Sequence, residues 1–155
     1  MFSFVEGGTF FMRLFIAFVL ALFCIFLSAC AASDGRIDNV EISVGTSTKF
    51  SVTEIEEAMN LVKERFIASY RGCELLQLWC DEIRSEQLIN GYMSNGRGRT
   101  NGVTRDDVIV LFSNFYAGSR ACMTFIPNTT HREWIWILIR DSEDDSWRID
   151  DWGRF

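Results

Sequence analysis

The chain has one histidine, no Cys-x-x-Cys pair and fewer basic than acidic residues, and each shortage closes off a class of function. With His131 alone and the cysteines scattered, no zinc-ligand spacing can be drawn. Fifteen basic against 21 acidic residues give a net charge of −6. That is the wrong sign for a protein whose main partner is DNA or RNA, because phosphate recognition rests on clustered Lys and Arg. Gly96-Arg97-Gly98-Arg99 is followed by no Lys-Ser or Lys-Thr and opens no strand-to-helix turn, so it is not a P-loop. The acidic run Asp141, Glu143, Asp144 and Asp145 places Ser146 and Trp152 where an EF-hand loop needs Gly and Glu. A solvated hairpin turn accounts for it more simply. Neither a metal nor a cofactor is expected, and no internal repeat is visible.

What the chain does have is an apolar run, Leu14–Leu27, preceded by Arg13 and closing in Leu27-Ser28-Ala29-Cys30. A short positive region, an apolar core and small residues before a cut form the pattern of an export signal. Met12-Arg13 makes a better start for it than Met1, because residues 1–11 carry Glu6 and no basic residue. Leu27-Ser28-Ala29-Cys30 resembles the lipobox of bacterial lipoproteins. The resemblance implies cleavage before Cys30, a diacylglyceryl group on its thiol and an extracytoplasmic, membrane-tethered domain. On this reading residues 1–29 are the signal peptide, 30–39 a flexible, lipid-anchored tether, and 40–155 a single domain. Without Arg13 and Glu6 the balance is 14 basic to 20 acidic residues, still −6. An acidic surface of that size leaves membrane attachment to the lipid.

Val40, Ile42 and Val44 alternate as in a half-buried strand. Thr53 followed by Glu56 fits a capping box, and Ile55, Met59, Val62 and Phe66 form one stripe, so a helix of about 17 residues is expected. Gly72 offers its stop. Cys73–Glu82 is expected to be extended, Ser85–Met93 a short second helix and Ser94–Arg105 a loop. Val108–Tyr116, Trp134–Arg140 and Trp147–Trp152 are expected strands, the last two joined as a hairpin through Asp141–Ser146. These elements imply an α+β domain in which an N-terminal helix packs on a curved, mainly antiparallel sheet. Large residues on both strand faces imply either a sheet enclosing its own cavity or a second face that meets a partner.

The order resembles the cystatin-like or NTF2-like cone. More narrowly, the segments Phe50–Phe66, Gly72–Glu82, Asp106–Phe115 and Glu133–Gly153 resemble small secreted or lipid-anchored proteins of unknown function from Gram-positive gut bacteria. The resemblance covers most of the expected domain and brings no shared activity. Cone folds carry enzymes, binding modules and scaffolds alike, so function has to be argued from a site.

Few residues suggest chemistry. Cys122 and His131 are the one thiol–imidazole pair to inspect for nucleophilic catalysis, although nine positions of loop separate them. Cys73 and Cys80 cannot pair within one straight strand; Cys122 bridged to either, or buried thiols, remain. Glu82, Glu86 and Asp150 would serve a glycosidase only if they converged across a cleft. Arg97, Arg99 and Arg105 form a local basic group. Trp134 and Trp136 share one strand face; with Trp79, Tyr116 and Trp152 nearby they could line an aromatic pocket for a small ligand or peptide, against a plain reading as core. The expected function is ligand or protein binding, or a scaffold for an envelope protein. The rival is a small extracytoplasmic hydrolase using the cone pocket.

Overall fold

The computed structural model describes residues 34–121 and 124–154. The expected export signal, Cys30 and Cys122 lie outside the described residues. The domain is α+β: five strands in the order β1-β2-β3-β4-β5, comprising β1 (Glu41–Ser43), β2 (Cys73–Cys80), β3 (Val108–Ala117), β4 (Thr129–Ile139) and β5 (Arg148–Gly153). The edge pair β1–β2 is parallel and the other three pairs are antiparallel. A helix packs on this open sheet, as expected, in an arrangement consistent with a cone-like fold.

Helix α1 (Val52–Ser69) carries the expected stripe: Ile55, Ala58, Met59, Val62 and Phe66 are buried against the sheet. Its cap is Ser51 rather than Thr53. Ser51 is extended, its hydroxyl accepts from Glu54 N–H, and the Glu54 carboxylate accepts from Ser51 N–H at 2.8 Å. Both Ser51 and Thr53 stand three residues before a Glu, so spacing cannot choose between them; the extended backbone at 51 does. Gly72, at φ +72°, completes the turn into β2. A Cβ there would lie 2.6 Å from the Arg120 carbonyl oxygen, so only glycine fits.

Part of the second sheet face is covered by the chain itself. Asp81 caps α2 (Glu82–Asn95), whose 14 residues exceed the two turns expected. Ile89 and Tyr92 of α2 pack with Val108, Val110, Phe112 and Ile137 on the side opposite α1. The expected loop after it contains a one-turn helix α3 (Gly98–Asn101) and a 3₁₀ turn (Arg105–Asp107). Apolar residues on both faces of β3 and β4 are therefore explained by the two helices, α2 lying over the half of the second face nearest Val108 and Ile137.

Residues 34–39, expected to be part of a flexible tether, are instead held on the end of α1 and on β2. Gly35 N–H donates to Ile67 O and Arg36 N–H to Cys73 O, both at 3.0 Å, and Leu75 N–H donates to Arg36 O at 2.9 Å. The cause is the open edge of β2. Strand β1 pairs only with Gln77–Trp79, and the backbone groups nearer Cys73 need partners that a small polar sequence can supply.

Candidate functional site

Helix α2 covers only the half of its sheet face nearest Val108, Ile137 and Ile139. Beyond Phe112 the face is polar, and three irregularities meet there. The β2–β3 register shifts between Leu75 and Gln77, the β3–β4 register between Ser113 and Phe115, and Glu133 has φ +56°. On β4, Arg132 and Glu133 together occupy the interval opposite Asn114, which makes a bulge. Asn114 stabilises it: Glu133 N–H donates to Asn114 Oδ1 at 2.9 Å.

From that bulge a row of hydrogen bonds crosses the sheet. Asn114 Nδ2 donates to Gln77 Oε1 at 2.5 Å, and Gln77 Nε2 donates to Glu41 Oε2 at 2.8 Å. Glu41 pairs with Gln77, and Gln77 with Asn114, so the row follows the strand register. Around it lies a groove of about 570 Å³, lined by Glu41, Gln77, Trp79, Asn114, Arg132 and Arg154 among others. A neighbouring hollow shares Glu133 and Arg154 and continues the groove to Arg84 and Leu88 at the start of α2.

The charges in the groove are unequally matched. Arg84 pairs with Glu133 at 3.2 Å and lies over the Phe112 ring. The guanidinium groups of Arg132 and Arg154 have no ion-pair partner among the described residues. Among the described residues Glu41 is met by the Gln77 amide alone. An acidic protein thus presents two uncommitted cations in a single concave surface, with Glu41 held by an amide and Glu133 by Arg84, a place where a ligand can supply the missing partners.

The aromatic residues expected to line a pocket are divided between the faces. Trp136 is fully buried on the α1 side, where its Nε1–H donates to Ser113 Oγ at 2.9 Å. Trp134 shares that face and packs edge-on to Phe115 and Phe125. Trp152 faces Trp136 across the β4–β5 pair but stays exposed under Arg65 of α1. Trp79 stacks on Phe112 on the α2 side, and Tyr116, between core residues Phe115 and Ala117, also turns away from α1. Of the five, only Trp79 reaches the groove.

Cys122 lies outside the described residues, so its pairing with His131 stays an expectation; the described candidates do not converge on the groove. His131 stacks on Phe115 at 4.8 Å within the α1-side aromatic cluster, away from the groove. Burial, with Glu82 and Asp81 adding to it, pushes the Cys80 thiol up to about 11, the opposite of an activated nucleophile. Glu82 accepts from Thr48 N–H and Oγ, and hydrogen bonds from Ser47 and Thr48 hold its carboxyl below the usual range. Glu86 pairs with Arg105, while Asp150 accepts from the Tyr92 hydroxyl at 2.7 Å and pairs with Arg97. Each carboxylate is therefore committed locally, and those pairs also divide the basic group of Arg97 and Arg105. Asp141 pairs with Arg148 in the hairpin connection, and no group of three metal-ligating side chains occurs among the described residues.

Gln77 and Asn114 were detectable in principle as the single amides inside the apolar strings Leu75–Trp79 and Leu111–Tyr116. Their meeting was not, because it depends on two register shifts. Residues 46–153 match a family model described as a domain of unknown function (DUF4829), a span that takes in Gln77, Asn114, Arg132 and Glu133. No curated protein and no solved structure matches the chain.

Proposed function

The chain belongs to this DUF4829 family, and we propose that its domain binds a small polar ligand in the groove and does so without chemistry. The observation carrying this reading is the pair Arg132 and Arg154, both lining one groove and both without an ion-pair partner among the described residues. Unmatched guanidinium groups beside a fixed amide row are suited to recognition. Catalysis would need an activated nucleophile or convergent carboxylates, and the described candidates are committed elsewhere. The lipobox resemblance at Cys30 supports an extracytoplasmic, lipid-anchored setting, in which the groove would meet solutes or envelope components.

Two measurements test the two halves of the proposal. Thermal unfolding of the full chain in detergent, with a panel of small charged solutes, should show at least one that raises the midpoint of the wild type. The Arg132→Gln/Arg154→Gln variant should show no such rise, and equal rises in both proteins would remove the groove from the proposal. Metabolic lipid labelling should mark the wild type and not Cys30→Ala; an unlabelled wild type would remove the anchor.

A further inference from the structure

The groove has a direction. Its row runs Glu41 on β1, Gln77 on β2, Asn114 on β3, then the bulge of Arg132 and Glu133 on β4. Neighbouring strands lie about 4.8 Å apart, so the row spans roughly 14 Å from the β1 backbone to the β4 backbone. One end holds a carboxylate backed by an amide; the other holds two guanidinium groups with no ion-pair partner among the described residues, beside Glu133, whose charge Arg84 offsets at 3.2 Å. Between them stand two amide side chains, each using one amide hydrogen in the row and keeping the second for another acceptor.

We infer that the groove binds a short peptide with both ends free, lying across the strands from its amine at Glu41 to its carboxylate at Arg132 and Arg154. The inference rests on the ligand-binding reading above and names the ligand class for the same site. An extended chain covers about 3.3–3.6 Å per residue, so about four residues match the row. The peptide carbonyls meet the spare amide hydrogens of Gln77 and Asn114, while Trp79 supplies an apolar wall along the path. The carboxylate contributes most, because guanidinium and carboxylate match as paired donors and acceptors. The amine contributes less, since Glu41 is exposed and its attraction is screened by salt.

The test uses the full chain, ¹⁵N-labelled and in detergent micelles, titrated with four tetra-alanine probes: unblocked, C-terminally amidated, N-acetylated, and blocked at both ends. The unblocked peptide is expected to shift the side-chain amides of Gln77 and Asn114 and the indole N–H of Trp79. Amidation should weaken binding at least about tenfold, and acetylation about threefold. Arg132→Gln/Arg154→Gln should abolish the difference between acid and amide, and Glu41→Gln the difference between free and acetylated amine. If the doubly blocked peptide binds at the groove as tightly as the unblocked one, end recognition is wrong while groove binding stands. If none of the four shifts these groups, the peptide inference is overturned; the panel of charged solutes then decides separately whether the groove binds anything.

Discussion

The two faces of one sheet have been completed differently. On the α1 side an 18-residue helix lays a continuous stripe over Leu75, Leu78, Ile109, Leu111 and Trp136, and the polar contact beneath it, Trp136 to Ser113, is closed. On the other side a 14-residue helix covers the lower half of the face and leaves an upper half of amides and unmatched charge. The same strands supply both faces by simple alternation. A face becomes a site where its covering element ends, because side chains there must satisfy themselves laterally or through solvent and ligand.

The comparison can be broken most severely at its tryptophans. Trp136→Ala on the closed face should cost about 3–5 kcal/mol, through lost burial and the cavity left behind. Trp79→Ala, half-buried at the groove, should cost no more than about 2 kcal/mol. Denaturant unfolding of both variants checks this, and equal losses would erase the distinction between the faces.

Next in size is Asn114→Leu, which should cost about 1–3 kcal/mol because the Glu133 amide loses its acceptor at the bulge. The same unfolding measurement reads it. Loss of the Gln77 side-chain amide shifts should accompany it, since the row is broken at its middle.

The closed face has its own sensitivity, to acid. Hydrogen bonds from Ser51, helped by Arg140, hold the Glu54 carboxyl down at about 2. Because the folded value lies below the unfolded one, this stabilisation is complete above about pH 4.5 and disappears as pH falls through about 2. Glu54 is partly exposed, so screening reduces the contribution to about 1–2 kcal/mol. Unfolding curves from pH 6 to pH 2 should show Glu54→Gln losing less stability than the wild type. Parallel curves would exclude the cap from the acid response.

The smallest stability effect belongs to the groove. Arg132→Gln and Arg154→Gln should each change unfolding free energy by less than about 0.5 kcal/mol, because both are exposed and neither guanidinium has an ion pair among the described residues to lose. A larger loss would mean that these residues hold the fold together rather than await a ligand.

Much of the closed face was legible from residue order. The stripe Ile55, Met59, Val62, Phe66 and the apolar runs in β3 and β4 place the helix and two strands by local pattern. The cap was displaced by two residues because Ser51 and Thr53 carry the same spacing signal. The second layer was underestimated because α2 contains few apolar residues, and Ile89 and Tyr92 gain their partners from β3 and β4, far along the chain. Residues 34–39 resembled a tether by composition, yet backbone pairing to a free strand edge needs no apolar side chain. The groove was the least legible part. Gln77 and Asn114 stand out singly, but bulges decide that they meet each other, and alternation alone does not predict bulges. The aromatic residues misdirected attention for the same reason: abundance in sequence does not say which face each one takes.

The most direct test of the groove as the functional site is a ¹⁵N chemical-shift map of the full chain in micelles, in the presence of the charged solute that most stabilises it. Shifts confined to Gln77, Trp79, Asn114 and Glu133, and absent in Arg132→Gln/Arg154→Gln, are the predicted result. Shifts centred instead on the apolar hollow beside Leu88, Gly91 and Ile137, or unchanged in the double variant, would contradict it.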